Sequence, residues 1–434
     1  MASRLYRTTQ QLYAAVTHAL QRLQLQQVGT PTLAALITLV VTGLILLDTR
    51  QTQTRVARVL PARCHDAHNR LLRTMPLSTR VLMRLLTAFA QRLNRDGYLA
   101  LDDVIVEKAY AKRLPWAGWT YSFAKKRKVY GLHIVVLLWC SVDGHWRIPV
   151  GFRLWRPKRS CAPHRYRTKL ELAAELLTEV VQTHLPVAYV VFDTHYTASW
   201  FTKHLERLEL TWQGTLDPKT HVVWRGKRQA VRDVAAQVKL KWRTQLGVRA
   251  TALTVVAPKY GTVRLVVTRN RHGNYEYLVS NAQHADLTTL VQRKQKRWPI
   301  ETVFRDSKQF AGLEACQSWV DQAMVRHVAL VFVTFVVLQL LRTTVEEPVA
   351  AVKERWQLAV LRDGEVPPAP LRACPPEFRS TALVLLLTFD CDIPTCSVPG
   401  RPLPCKACPR SLSGATRSKR CKPPMSSKSK NFTP

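Results

Sequence analysis

The sequence has few acidic residues for its size. It contains 29 Asp and Glu residues against 65 Lys and Arg among 434 residues, and no acidic residue follows Asp392. The formal net charge is therefore +36 at pH 7. A solvated charged surface and an anionic membrane partner are alternative explanations of this excess of positive charge. A nucleic-acid partner is favoured, because neutralising phosphates releases counterions and drives binding.

The sequence also lacks an uncharged apolar run long enough to cross a bilayer. Residues 33–47 and 328–341 carry no charge, but both runs fall short of the roughly 20 residues that a membrane helix needs. No short basic segment leads directly into an apolar core at the N-terminus, so we expect no secretory signal. We predict two buried helices, no membrane partner and a cytoplasmic location.

Cysteine is too sparse for a disulfide framework. Ten cysteines in a chain of this length are typical of a protein in a reducing compartment. Near the C-terminus, Cys391, Cys396, Cys405 and Cys408 include one C-x2-C pair. Such a pair occurs in zinc sites, but a tail with incidental thiols is the alternative, and both interpretations stay open.

The hydrophobic pattern divides the chain into five segments. Residues 1–93 have helical periodicity and basic outer faces, and they predict an all-helical N-terminal region. Residues 94–216 read as three strands, a helix, a strand and a helix, an order that predicts an α/β fold with a mixed sheet flanked by helices. Residues 217–285 are strand-rich and predict a β-rich insertion.

The last two segments contrast in composition. Residues 286–345 return to helices, among them the amphipathic stretch 297–310 and an apolar helix. Residues 346–434 shift toward Pro, Ser, Cys, Lys and Arg, and they predict a basic tail that is largely disordered.

Three acidic positions stand out by their context. Asp102 or Asp103 ends the first strand, Asp193 ends a later strand, and Glu301 lies on the amphipathic helix between Arg297 and Lys308. Carboxylates at the ends of neighbouring strands converge, and a helix packed across that edge can add a third. Three hard oxygen ligands suit Mg²⁺, and two such ions can drive phosphodiester displacement.

The segment around Glu301 resembles a known signature. The DDE transposases of bacterial insertion sequences include a branch with the pattern Tyr-x2-Arg-x3-Glu-x6-Lys, and Arg297, Glu301 and Lys308 match it in type and spacing. Lys294 stands where that pattern has Tyr. The stretches LALDDVIVEK and VVFDTHYTASW resemble the family's two Asp-bearing blocks, and the likeness covers roughly residues 60–342.

The resemblance implies a fold and a metal site. It implies an RNase H-like core with an inserted β-rich domain and an N-terminal DNA-binding region. Asp102, Asp193 and Glu301 would be the catalytic residues and the ligands of two Mg²⁺ or Mn²⁺ ions. The family usually has Thr or Ser two residues after the first Asp, whereas Val104 stands there. Aligning the pair on the motif selects Asp102, with Asp103 as the alternative.

The resemblance also implies partners and a reaction. Arg297, Lys308, Lys294 and Trp298 would contact DNA, with Trp298 able to stack on a displaced base. The expected activity is cleavage at element ends and strand transfer into target DNA, by a homodimer assembled on double-stranded DNA in the nucleoid. A nuclease without strand transfer and an inactive DNA-binding derivative are the alternatives.

Three basic segments lead to a first prediction. Residues 125–128, 153–160 and 293–297 carry clustered Lys and Arg, and we expect them to line one DNA-facing surface. DNA affinity should then fall steeply with salt, in proportion to the phosphates contacted. Fluorescence anisotropy over a salt series measures that slope. An affinity that does not change between low and physiological salt would contradict the prediction.

Overall fold

A computed structural model of the chain describes residues 2–48, 51–60, 65–109, 111, 114–122 and 125–362. The four tail cysteines and most of the predicted tail lie outside the described residues. All described residues belong to one compact unit.

The N-terminal segment folds as helices wherever it is described. Thr30 caps the second of them by accepting a hydrogen bond from the Leu33 amide, and Pro31 follows at the first turn. The helices are α1 (Ala2–Arg22), α2 (Pro31–Leu46), α3 (Gln53–Val59), α4 (His65–Arg73) and α5 (Thr79–Arg92). Apolar residues of α1, α2, α4 and α5 join the main hydrophobic core, so this region packs directly on the rest of the chain.

A mixed sheet forms the centre of the structure. Its strands are β1 (Gly97–Glu107), β2 (Gly118–Ser122), β3 (Arg127–Ser141), β4 (Arg147–Trp155), β5 (Val190–Phe192) and β6 (Trp212–Thr215). β3 is antiparallel to β1 and β4, whereas β5 and β6 run parallel to β1, in the order β4-β3-β1-β5-β6. Helices α6 (Lys169–Val181) and α7 (Ser199–Arg207) flank the sheet. The predicted RNase H-like fold class is confirmed.

The insertion extends this sheet rather than forming a separate one. Its elements are β7 (His221–Trp224), β8 (Lys227–Ala230), α8 (Val231–Gln237), β9 (Lys241–Arg243), β10 (Val248–Ala257), β11 (Gly261–Arg269) and β12 (Tyr275–Ser280). β12 pairs antiparallel with β6. The core strands and the insertion strands therefore form one sheet in the described part of the chain.

Four helices complete the described chain. They are α9 (Leu287–Gln295), α10 (Trp298–Phe310), α11 (Asp321–Leu340) and α12 (Val349–Arg362). α11 is long and apolar enough to cross a membrane, but 89% of its most apolar window is buried inside the protein. α2 is also largely buried. Both apolar runs thus act as core helices here.

The segment expected to be a tail begins with a helix. α12 occupies Val349–Arg362, although the composition of residues 346–434 predicted disorder. Val349 and Val352 are buried in the main core. This apolar contact gives the first part of the segment a folded position that composition averaged over the whole segment does not reveal.

A buried lysine on α12 joins three helices. The Lys353 ammonium donates to the carbonyl oxygens of Leu44 at 3.1 Å, Leu47 at 2.6 Å and Phe310 at 2.7 Å. These carbonyls lie at the C-terminal ends of α2 and α10, where backbone acceptors have no partner within the helix. Gln51 donates to the same three carbonyls. Lys353 therefore connects the N-terminal helices to the helix that carries Glu301.

We predict that Lys353→Met lowers the free energy of unfolding by about 1–3 kcal/mol, because the carbonyl oxygens lose the hydrogen bonds from the ammonium and keep only those from Gln51.

Burial lowers the pKa of Lys353 from 10.5 to about 8. Between these values the unfolded chain binds more protons than the folded chain, so stability rises with pH across this window. Urea unfolding should show the wild-type advantage over Lys353→Met growing from pH 8 to pH 10.5. A difference that stays constant or shrinks would contradict this.

Candidate active site

The pairing of β1 with β5 brings two acids together. The parallel register sets Leu101 beside Phe192, so the next residues, Asp102 and Asp193, are neighbours on one face of the sheet. Burial and, second, the negative charge of Asp193 raise the pKa of Asp102 to about 7, against the opposing charge of Arg297. The site therefore holds two carboxylates that repel each other.

Glu301 reaches this pair through an arginine. Arg297 immediately precedes α10 and lies one turn before Glu301. Its Nη1 donates to Oδ2 of Asp102 at 2.6 Å, and its Nη2 donates to Oε1 of Glu301. One guanidinium thus bridges an acid of the sheet and the acid of the helix. The structure brings all three predicted acids to one region, with Arg297 between two of them.

Asp103 points to the opposite face of β1. Its Oδ2 lies 2.7 Å from Nζ of Lys169 and 3.6 Å from Nδ1 of His133, and its Oδ1 accepts from the Tyr196 hydroxyl at 3.4 Å. Burial alone would raise the pKa of Asp103, but the nearby His133 ring and the ammonium of Lys169 outweigh it and hold the pKa at about 2. The negative charge of Asp103 is therefore balanced by Lys169 inside the protein.

The sequence did not reveal this polar network. His133 lies in an otherwise apolar stretch of β3 and is buried, and a polar residue there signals a buried partner. Tyr196 is also buried, and both burial and the charges of Asp103, Asp102 and Asp193 raise its pKa. The network fixes the orientation of the strand that carries Asp102.

Asp193 borders an open cleft of about 610 Å³. Its Oδ1 accepts from the backbone N–H of His195 at 2.9 Å and caps the short turn Thr194–Tyr196. One oxygen is therefore occupied locally and the other is directed away from that hydrogen bond. The residues lining the cleft include Asp193, Gln213, Gly214, Glu276, Lys294, Arg297 and Trp298.

Three of the residues predicted to contact DNA line this cleft, namely Arg297, Lys294 and Trp298. Trp298 is 62% exposed at the start of α10, which leaves its indole ring open to solvent. Nζ of Lys294 lies 2.7 and 2.6 Å from the two carboxylate oxygens of Glu276. Lys294, at the position where the signature has Tyr, is thus paired with an insertion residue. Glu276 itself was not singled out in the sequence.

Lys308 contacts β1 beyond the acids. Its Nζ donates to the carbonyl oxygen of Ile105 at 2.6 Å and lies 3.2 Å from Oε1 of Glu314. It is two turns after Glu301 on the same helix, so it anchors the C-terminal part of α10 to the strand that carries Asp102. The ammonium is partly exposed beside this contact.

Two of the three basic segments lie at the same end of β3. Residues 125–128 include the first residues of β3, and residues 153–160 begin in the last residues of its antiparallel partner β4. Several of these cations are paired with acids: Lys125 and Arg127 with Glu107, and Arg153 with Glu179. The third segment ends at Arg297, in the acidic site.

The acid donors fit a divalent cation. Within the described part of the chain, no three His, Cys, Asp or Glu side chains already stand in a metal-holding arrangement, since Arg297 lies between Asp102 and Glu301. The raised pKa of Asp102 reflects burial beside a second carboxylate. A hard cation relieves that repulsion, and carboxylate oxygens are its preferred ligands.

Comparison with known proteins identifies the family. The model of the DDE superfamily endonuclease family matches residues 24–271, which is more than half of the chain. A search of curated proteins found no significant match. Among solved structures, the chain is similar to a piggyBac transposase in a synaptic complex with hairpin DNA, with a TM-score of 0.44 and 12% identity, over 75% of this chain and 69% of that one. The family match covers both Asp102 and Asp193, and the chain belongs to the DDE superfamily endonucleases.

Proposed function

We propose that this protein is a DNA transposase that cleaves DNA at the ends of an insertion sequence and joins those ends to target DNA. The observation that carries the proposal is the Asp102–Asp193 pair, linked through Arg297 to Glu301. Membership of the endonuclease family supports phosphodiester chemistry at this pair. The signature match at Arg297, Glu301 and Lys308 supports the bacterial insertion-sequence branch.

In this proposal Asp102, Asp193 and Glu301 hold two Mg²⁺ or Mn²⁺ ions. When bound, such ions activate the attacking oxygen and stabilise the leaving oxygen of the phosphodiester. Asp102 supplies a carboxylate from a buried strand, so its position changes little. Glu301 lies on a helix that Lys308 and Lys353 tie to the sheet and to α2, which gives the third carboxylate a defined position.

Arg297 has two roles in this proposal. Without metal it neutralises Asp102 and Glu301, which would otherwise be uncompensated acids in a partly buried site. If these carboxylates held a cation instead, the guanidinium would be free to bind a DNA phosphate in bidentate fashion. The same residue thus alternates between acid partner and phosphate partner.

The remaining DNA contacts follow from the cleft. Lys294 borders it and exchanges Glu276 for a phosphate, while the exposed ring of Trp298 can stack on an unpaired base. Lys308 steers the backbone near β1. The proposed partner is double-stranded DNA, bound at the element ends and at the target by a homodimer in the nucleoid of the cytoplasm.

Exchanging the adjacent acids separately tests which of them is catalytic. Asp102→Asn should lower cleavage about a thousandfold, because a metal ligand is worth several kcal/mol in the transition state. Asp103→Asn should keep most of the cleavage activity but lower stability by about 3 kcal/mol, since Lys169 loses its partner. Supercoiled-plasmid nicking in Mg²⁺ and thermal unfolding measure the two effects. The opposite pattern would make Asp103 the ligand.

Exchanging residues along α10 separates chemistry from binding. Glu301→Gln preserves shape but removes a negative charge, so cleavage of DNA carrying the element ends should fall by orders of magnitude while DNA affinity is retained. Glu314→Gln is the matched control, because Glu314 lies next to Lys308 and outside the acid site. Lys308→Ala should weaken end binding without abolishing metal binding, measured by calorimetry.

The products distinguish the related functions. A transposase gives both cleaved ends and strand-transfer products, whereas a nuclease of the same fold gives cleavage alone. Normal nicking by Glu301→Gln in Mg²⁺ would show that α10 is only scaffolding. A wild-type protein that binds DNA but shows no metal-dependent cleavage would be an inactive derivative.

A further inference from the structure

The insertion exposes a row of basic and aromatic side chains at a distance in sequence from the acid site. Antiparallel pairing sets Trp242 opposite Arg249, Arg249 opposite Arg269, and Arg269 opposite Tyr275. Directly opposed residues of antiparallel strands share a face of the sheet. All four are exposed, the two aromatic residues by 44% and 41%. We call these four residues the insertion row.

Cations and rings in the insertion row contact one another. The guanidinium of Arg269 lies 5.2 Å from the ring centre of Tyr275, and that of Arg271, in the turn after β11, lies 5.5 Å from the Trp242 ring. Both distances are within cation–π range. Tyr277 stacks nearly parallel to Tyr275 at 6.4 Å. The rings are thus held in place while parts of their surfaces stay open to solvent.

Packing does not account for the row. On the same face of β11 and β12, two residues further along each strand, Val267 and Tyr277 are buried in the main core. The insertion row lies beyond this buried patch, where the covering elements end. Large exposed aromatic residues grouped in this way mark interaction sites more often than scattered ones.

The charges around the row favour an anionic partner. The row contains two arginines and no acid, and Arg271 adds a third cation. Glu276 follows Tyr275 and so points to the opposite face, where it pairs with Lys294. Asp233, whose charge acts on Tyr277, is paired with Arg232.

We propose that the insertion row binds an unpaired DNA strand, with bases stacked on Trp242 and Tyr275 and phosphates held by Arg249 and Arg269. Three strand spacings of about 4.8 Å separate the two rings, about 14 Å in all, and open sheets that stack bases take two or three nucleotides. Bases of a duplex are already stacked on each other, so outward-facing rings select an unpaired strand. The choice of DNA as the polyanion rests on the proposed function.

Binding to an oligo-dT strand tests the proposal, in EDTA so that no cleavage occurs. The double variant Trp242→Leu/Tyr275→Leu should bind the strand about tenfold or more weakly, and a duplex of equal length almost as well as wild type. Trp319→Leu is the matched control, because Trp319 is 59% exposed and lies outside the insertion. It should bind both DNAs as wild type does. Thermal unfolding by circular dichroism verifies that the variants are folded.

The arginines give an independent measurement. Each single-strand phosphate contact adds about 0.7 to the slope of log affinity against log salt. Arg249→Gln/Arg269→Gln should therefore lower the slope by about 1.4, whereas Arg249→Lys/Arg269→Lys should keep it. An unchanged oligo-dT affinity in the aromatic double variant would overturn the proposal, as would an equal loss on duplex.

The acid site provides a separate control. Glu301→Gln should bind oligo-dT normally in EDTA, because the row does not involve the carboxylates. Loss of strand binding in the row variants together with an active Glu301→Gln enzyme would refute the proposed metal mechanism. It would still support the proposal that the insertion row binds an unpaired strand. Normal strand binding in the row variants together with an inactive Glu301→Gln enzyme would refute only the row.

Discussion

The parallel register of β1 with β5 is the constraint on which the site depends. It sets Leu101 beside Phe192, and from this it follows that Asp102 and Asp193 are neighbours on one face. A shift by one residue would turn one of the acids to the other face, because side chains alternate along a strand. β3 supports this register from the other side, where it pairs with β1 along the full length of β1. The buried network around Asp103 adds a second restraint, since it fixes which face of β1 carries which carboxylate.

Placing acids so close has an electrostatic cost that the protein offsets internally. The raised pKa of Asp102 shows that burial and Asp193 oppose its ionisation. Arg297 compensates by donating to Asp102 and Glu301 together. In a chain of net charge +36, the position of Glu301 on an amphipathic helix is therefore explained by Arg297, which links it to Asp102 on the sheet. The helix and the residue before it thus supply both the carboxylate and the cation that compensates it.

The sequence predicted the parts of this arrangement that local pattern encodes. The strand end before Asp193, the strand-rich insertion and the amphipathic α10 follow from periodicity and position. The expectation that Asp102 or Asp103 ends its strand was wrong, because pairing with β3 continues β1 to Glu107. The choice between Asp102 and Asp103 did not follow from periodicity, because a central strand is apolar on both faces. The contacts that distinguish the two carboxylates come from Lys169 on α6 and His133 on β3, which are distant in sequence. α12 was missed for a similar reason, because its folded state depends on burial of Val349 and Val352 and on the contacts of Lys353 with other helices.

The insertion is connected to the acid site through strand pairing and a buried hydrogen bond. Gln213 on β6 pairs with Val191 of β5 on one side and with Ser280 of β12 on the other. Its buried side chain also donates to the carbonyl oxygen of Leu290 on α9 at 2.7 Å. α9 leads directly into Arg297 and α10. Gln213 therefore contacts the strand before Asp193, a strand of the insertion and the helix that precedes the Glu301 helix. The insertion therefore helps to position the approach to α10, so the β strands between Asp193 and Glu301 contribute to the geometry around the site as well as to its surface.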